Sequence, residues 1–340
     1  MQDYNICLCA DDNYSKYMGV TMASILKNAD DDENIIFHII EPNISEDTKN
    51  KLLSLKKIKD FDIKFYRVEN NKYQTPPYLR LYIVELIKNT NKVLYLDSDI
   101  IVNGSLKELF SIDIDNYYAL VVKDLYVDIY KEHKELIGIG KEKTYFNSGM
   151  LMININLCIK DNIKDEFYKY FLENFNKNKE KLKYNDQCLI NYVFRNKNKI
   201  IDRKWNYIPS KEYNLKSTEP TKDDAVIIHF VEHKPWKEKC GQPYFLEDYW
   251  KYYQLTPWFF EEPITAIQTM IKQQFYDYDD IRFRSNHLKL FGIYTSSKKL
   301  QIVIFGIRIT IDAVDYRNIS KIAWWIPVRK WREAFKNKFR

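Results

Sequence analysis

The stretch VLYLDSDIIV, residues 93–102, decides how the chain is read. Val93, Leu94, Tyr95 and Leu96 form an apolar run with the length and composition of a short buried strand. It stops at Asp97-Ser98-Asp99. In extended backbone, side chains at i and i+2 share a face, so Asp97 and Asp99 lean the same way. Two adjacent carboxylates repel unless a proton or a cation lies between them. A divalent metal is the first chemistry this pattern asks for. The plainer alternative is a polar turn at a strand end.

Upstream of that run the pattern alternates. YNICLCA (4–10), NIIFHIIE (34–41) and FDIKFYRV (61–68) read as strands. Residues 14–28 read as a helix, and so do 45–58, with Ser45 as N-cap and acids in the first turn. PPYLRLYIVELIK (76–88) opens with proline, which suits a helix start. Downstream, 117–122, 144–156 and 225–230 are strand-like, and 182–196 is expected to be helical beyond Asn185 as N-cap. Strands alternating with helices indicate an α/β sandwich with a mostly parallel central sheet. In such sheets the ligand crevice lies beyond the carboxyl ends of the strands. Asp11, Asp12 and Asn13 follow the first strand, and Asp97 and Asp99 follow the fourth, so both acidic groups are expected to face one crevice.

Composition narrows the class. A chain of 340 residues buries one large core or two modest ones. None of its eight glycines forms a GxGxxG or a GxxxxGK[ST], so a dinucleotide fingerprint and a P-loop are both absent. The five cysteines, at 7, 9, 158, 188 and 240, lack framework spacing and read as reduced thiols of a cytosolic protein. No signal peptide and no run of 18 apolar residues is evident. The net charge of +6 resides in residues 321–340, where seven cations face Glu333 alone. The other 320 residues are near neutral, which disfavours a nucleic-acid-coating protein.

Four motifs carry the chemistry. Asp97 and Asp99 with His229, at the end of AVIIHF, make a mixed carboxylate–imidazole set suited to Mn²⁺, with Mg²⁺ as the related alternative. Asn147 and Ser148, in FNSGMLMIN (146–154), are short polar groups in an apolar run beside Gly149, which permits close backbone approach. Amides both donate and accept, as sugar hydroxyls require. Asp186 and Gln187, in YNDQC, begin a helix. Lys234, just before Pro235 in HFVEHKPW, sits on extended backbone where its charge can meet a phosphate. Each residue alone also has a structural explanation as a turn, a bulge, a helix-dipole acid or a surface lysine. Their joint placement at strand ends favours the functional one.

Read in order, CADDNYSKYMGVTMASIL, PPYLRL, VLYLDSDIIV, FNSGMLMIN, YNDQCLIN and HF…HKPW resemble the retaining glycosyltransferases of family 8. That family includes lipopolysaccharide galactosyl- and glucosyltransferases and glycogenin. The resemblance spans about residues 4–236 and implies a GT-A fold, a UDP-hexose donor and Mn²⁺. It further implies that Ala10, Asp11, Asn13 and Tyr14 receive the uridine end. Asp97, Asp99 and His229 would hold the metal, with Ser98 beside them. Arg80, Asn147, Ser148, Asp186 and Gln187 would surround the donor sugar, and Lys234 would meet the departing phosphate. Asp186, Gln187 and Lys234 are thus the expected catalytic residues.

The expected organisation is a catalytic domain over 1–255, an accessory region over 256–318 and a basic aromatic tail over 319–340. In residues 288–311, LKLFGI and IVIFGIRI suggest a small hairpin. The tail interleaves Trp324, Trp325, Trp331, Phe335 and Phe339 with its cations, a pattern suited to an anionic membrane surface. A glycan or glycolipid acceptor, and a cytoplasmic protein peripheral to the inner membrane, follow from that reading. Two other classes share part of the pattern. Haloacid-dehalogenase-like phosphatases place Asp-x-Asp after an apolar strand, but usually continue with Gly or Thr where this chain has Ile100 and Ile101. A non-catalytic sugar-nucleotide or glycan-binding protein would keep the site without turnover.

Overall fold

The computed structural model describes residues 2–69, 72–73, 76–174, 181, 183–209, 224–231, 234–237, 245–276, 291–296, 299–304 and 307–312. They fall into two compact units, Met1–Asp279 and Asp280–Arg340.

The first unit is built on a seven-stranded sheet. Its strands are β1 (Gln2–Cys9), β2 (Glu33–Glu41), β3 (Asp62–Arg67), β4 (Lys92–Leu96), β6 (Ala119–Lys123), β7 (Phe146–Asn154) and β8 (Asn198–Ile200), in the order β3-β2-β1-β4-β7-β6-β8. β3, β2, β1 and β4 run parallel, β7 is antiparallel to both β4 and β6, and β8 is parallel to β6. The mostly parallel α/β sandwich read from the sequence is therefore the fold.

Alternation along β4 shows why both faces are covered. Val93 and Tyr95 enter a core shared with α7 (Ile163–Asn174) and α8 (Asp186–Phe194). Leu94 and Leu96 enter the opposite core, with Met18 and Met22 of α1 (Ser15–Asn28). Fully burying each such Leu or Val contributes about 2 kcal/mol. All nine residues of β7 are buried, so the strand carrying FNSGMLMIN is central to the sheet.

Asp97-Ser98-Asp99 is the point where the chain leaves this sheet. The Asp97 N–H still donates to Gly149 O on β7 (2.9 Å), whereas Asp99 O accepts from Phe230 N (3.0 Å). The next strand, β5 (Ile100–Val102), pairs antiparallel with β9 (Ile227–His229) in a separate two-stranded sheet, setting Ile100 opposite His229. That register carries His229 to the DSD turn. The free edge of β5 is satisfied by α1: Thr21 Oγ1 donates to Ile100 O, Ser24 Oγ accepts from Val102 N, and Asn28 Nδ2 donates to Val102 O.

Further described helices of this unit include α2 (Glu46–Leu53), α3 (Ile83–Leu86), α4 (Lys107–Ser111), α5 (Lys131–Leu136) and α6 (Ile155–Lys160). Ser45 caps α2 as expected, accepting from Thr48 N at 3.3 Å. Two local expectations are corrected. Residues Pro76–Tyr82 form a 3₁₀ turn before the short α3, with Tyr78, Leu79, Leu81, Tyr82, Ile83 and Val84 all buried, so tertiary packing and not an amphipathic stripe sets the backbone here. Asn185 precedes α8 with φ 50° and ψ −129° and makes no side-chain cap; this positive-φ conformation lies outside the left-handed helical well and is strained for a residue with a Cβ.

The compact unit continues past residue 255, where the sequence reading sets a boundary. Tyr249, Trp250, Tyr252 and Tyr253 of the helix Leu246–Tyr253 share a core with Phe230 and Ala266. Gly19 of α1 lies beneath Trp258, whose ring would be 2.5 Å from an added Cβ. In the second unit, β10 (Phe291–Ser296), β11 (Lys299–Ile304) and β12 (Ile307–Asp312) form an antiparallel sheet. The expected hairpin is thus three strands, since IVIFGIRI is divided between β11 and β12 with Ile304 paired to Ile307. Residues 319–340 lie outside the described residues.

Candidate active site

The DSD turn and the end of β9 bring three ligand atoms together. One atom each from Asp97, Asp99 and His229 lies within 4.8 Å of the others. His229 Nε2 is 3.3 Å from Asp99 Oδ1 and 3.6 Å from Asp97 Oδ2. The imidazole is oriented from behind, with Nδ1 3.0 Å from Asn206 Oδ1. With the Nδ1 proton donated to that oxygen, Nε2 presents its lone pair to the two carboxylates. A ligating imidazole is normally held in this way. Asn206 Nδ2 in turn donates to Asn147 Oδ1 (2.9 Å), which also accepts from Gly149 N.

Asp97 divides its two oxygens. Oδ1 accepts from Tyr95 Oη at 2.5 Å and pairs with Arg80 Nη2 at 2.9 Å, leaving Oδ2 toward His229. Asp99 is 12 % exposed at its side chain, and its second oxygen is engaged by Lys234 Nζ. Burial opposes charge on Asp99, but His229 and Lys234 outweigh it and hold the carboxyl well below its usual range. Ser98 Oγ ties the turn to the end of β1 by donating to Cys9 O at 3.0 Å, beside buried Ala10.

The residues fit a divalent cation. Two carboxylate oxygens and an imidazole nitrogen converge and are backed by hydrogen bonds, a donor set that a divalent cation takes. Gly149 supplies an independent sign. A Cβ there would lie 2.1 Å from His229 Cε1 and 2.9 Å from Asp97 Oδ2. The central strand approaches the cluster so closely that only glycine fits.

A second group adjoins the first through Arg80. Its guanidinium joins Asp97 to Asp186, with Nε 3.1 Å from Asp186 Oδ2, while Nη1 donates to Ser148 O at 2.9 Å. It also lies 4.8 Å from the centre of the Tyr95 ring. Asp186 Oδ2 makes no hydrogen bond among the described residues. Burial pushes the Asp186 carboxyl up to about 6; Arg80 pulls it down, and Asp97 adds to the rise. Gln187 is fixed on both sides of its amide: Oε1 accepts from Ser148 N (3.0 Å) and Asn147 Nδ2 (3.2 Å), and Nε2 donates to Asp124 Oδ2 (3.2 Å).

The turn after β1 forms the other flank. Asp11 Oδ1 accepts from Tyr14 N (2.8 Å), opening α1. Asp12 is committed to structure, accepting from both Ser45 N and Ser45 Oγ. Asn13 and Tyr14 are exposed. The Tyr14 ring meets Tyr17 and Trp236 edge-on, and Trp236 stacks on Tyr17 at 3.7 Å.

The structure thus joins Asp97, Ser98, Asp99, His229, Lys234, Arg80, Asp186, Gln187, Asn147 and Ser148 in one contact network, with Asp11 and Tyr14 at its β1 side. Three residues of this network were not singled out from the sequence: Asp124, Asn206 and Tyr95. Asp124 directly follows β6 and Asn206 closes the 3₁₀ turn Arg203–Asn206, places where polar residues are ordinary, so tertiary contact distinguishes them. Tyr95 had a signal, since it lies two residues before Asp97 on the same strand and so shares its face.

Known proteins resemble this chain over most of its length. Residues 5–240 match the family described as Glycosyl transferase family 8. The chain is 28 % identical over 275 residues to a lipopolysaccharide 1,2-glucosyltransferase of Escherichia coli, covering 76 % of this chain and 80 % of that protein. It is 27 % identical over 262 residues to a lipopolysaccharide 1,3-galactosyltransferase of Salmonella typhimurium, covering 72 % and 77 %. The crystal structure of the galactosyltransferase LgtC with donor and acceptor sugar analogues superposes with a TM-score of 0.63 at 24 % identity, over 75 % of this chain and 96 % of that one. That likeness bears on the fold.

Proposed function

Because the chain belongs to glycosyl transferase family 8, we propose that it moves a hexose, glucose or galactose, from a UDP-sugar to a glycan acceptor with retention of anomeric configuration. The observation that carries the reading is the convergence of Asp97, Asp99 and His229 beside the Arg80–Asp186 pair. Asp97, Asp99 and His229 are the residues that would hold Mn²⁺, or Mg²⁺ in its place. Such an ion, when bound, offsets the negative charge that grows on the diphosphate as the sugar departs.

The remaining roles belong to the chain's own side chains. Lys234 supplies a fixed positive charge at the leaving phosphate. Ala10, Asp11, Asn13, Tyr14 and Ser98 take the nucleoside end. Asn147 and Ser148 read sugar hydroxyls, and Arg80 holds Asp186 against the sugar. Gln187, fixed by Asp124 and Ser148, presents an immobile amide dipole to the anomeric centre rather than a free nucleophile. Asp186 is engaged by a guanidinium, which lowers its nucleophilicity. Both features favour attack from the face of departure, with the leaving phosphate accepting the acceptor's proton.

The two lipopolysaccharide transferases above suggest an acceptor of that class, a lipopolysaccharide, lipooligosaccharide or other cell-surface glycan. We assign the catalytic part to residues 1–255, with 256–318 accessory. The basic aromatic residues 319–340 would hold the protein peripherally on the anionic cytoplasmic face of the inner membrane. Among the described residues no helix is long and apolar enough to cross a membrane.

The test is UDP release from purified protein with UDP-glucose, UDP-galactose and their N-acetyl forms, in Mn²⁺ or EDTA, with and without lipopolysaccharide. The reading requires metal-dependent release from a hexose donor, lost in Asp99→Ala. Release from none of them, with or without acceptor, would overturn it.

A further inference from the structure

The helix Pro263–Tyr276 carries an unusual residue on its buried side. Ala266 is buried, Met270 packs on the same core, and Gln273, the next position of that stripe, is only 3 % exposed. Ile264 and Ile267 of the same helix are exposed. An amide at a core-facing position must find partners, because a buried donor left unmade costs about 1–3 kcal/mol.

Gln273 finds them in the loop that carries Lys234. Its Nε2 donates to Pro235 O and to Lys237 O, the latter at 2.7 Å. Its Oε1 accepts from Trp250 Nε1 at 3.0 Å. Both amide hydrogens are thereby spent on the backbone of 235–237, which also closes on itself through Lys237 N to Lys234 O (3.0 Å). The same loop is fixed from the other side by Trp236 on Tyr17. The Lys234 ammonium then reaches Phe230 O and Asp99.

We propose that Gln273 is a positioning residue for the transfer reaction: it sets the backbone of the Lys234 loop, and so the place of the charge that meets the leaving phosphate. Gln273 lies outside the segment, 5–240, that matches the family, on a helix packed into the same compact unit as the site. The proposal rests on the function given above. It requires Gln273 to act through Lys234 and not through general stability.

A double-mutant cycle on metal-dependent UDP release separates these. Gln273→Met keeps the bulk of the side chain and removes both donors. It is expected to lower kcat about 10–100-fold, the range for a catalytic group displaced by about 1 Å. Cooperative melting of the variant reports an intact fold. In a Lys234→Ala background the same substitution should change kcat less than about twofold, because the group it positions is gone. Gln273→Asn, which keeps the amide on a shorter stem, should fall between. An equal loss in both backgrounds, or no loss at all, would overturn the proposal. If the unsubstituted chain releases no UDP from any donor, the functional reading fails and the proposal with it, an outcome visible before any variant is made.

Discussion

Replacing Gly149 by alanine tests the metal reading without touching a ligand. The φ of Gly149 is not positive, so the backbone accepts alanine, and any effect comes from the added methyl group. That carbon would lie 2.1 Å from His229 Cε1, 2.7 Å from His229 Nδ1 and 2.9 Å from Asp97 Oδ2. An ordinary contact begins at 3.4 Å, so the imidazole has to retreat by about 1.3 Å. The ring is 3 % exposed and bonded to Asn206 at 3.0 Å, so a retreat of that size breaks the bond that orients Nε2. Overpacking of this kind costs about 1–3 kcal/mol of stability. Loss of the orienting hydrogen bond costs about 10–100-fold in metal affinity. Calorimetric titration of Mn²⁺ into the variant, with a melting curve to confirm folding, reads both. Gly104→Ala is the control, since its new Cβ meets only Val226 at 3.4 Å and beyond. Unchanged Mn²⁺ affinity in folded Gly149→Ala would refute the claim that Asp97, Asp99 and His229 hold the metal.

Three further outcomes are expected. Burial, with Lys64 adding to it, depresses the His38 pKa from 6.5 to about 4, while the ring bonds Tyr66 and Asn5. The unfolded chain therefore takes the proton first, and about 3 kcal/mol of stability present above pH 6.5 is lost as the pH falls to 4; urea midpoints at pH 7 and 4.5 should converge in His38→Gln, and an unaltered pH dependence there would contradict this. Asp124→Asn sets an amide donor against Gln187 Nε2 or Asn147 Nδ2, or else against the amides of Tyr126 and Val127. Its kcat for UDP release should drop about 10–100-fold, and parental kcat would show that Gln187 needs no such support. Deleting 319–340 should abolish binding to anionic liposomes while donor hydrolysis in solution persists, and retained binding would remove the tail from the account.

Some of this was legible from residue order alone. Asp97, Asp99 and His229 announce themselves because each ends an apolar run, and strand ends of an α/β sheet share a crevice. Ser45 follows from local hydrogen bonding, which a short window of sequence contains. Gly149 is readable as a close approach, though not that the neighbour is an imidazole. The reading failed where tertiary contact outweighs local preference. Asn185 looks like a cap and instead takes a strained positive-φ conformation with no side-chain cap. Residues 76–82 look helical, but with Tyr78, Leu79, Leu81 and Tyr82 all buried they form a 3₁₀ turn. The sequence marks Lys234 as a loop cation for phosphate, and the structure also ties it to Asp99 and, through its loop, to Gln273. Asn206 and Asp124 matter through partners 23 to 63 residues away in sequence, which no local pattern can reveal.

The most direct measurement is a calorimetric titration of UDP into the intact chain, in Mn²⁺ and then in EDTA, repeated with Asp99→Asn. The account requires UDP to bind in Mn²⁺ and to lose at least about tenfold in affinity, roughly 1.4 kcal/mol, in EDTA and in the variant. UDP binding that is equally tight with and without metal, or absent in both, would contradict a site in which Asp97, Asp99 and His229 hold the ion that receives the diphosphate.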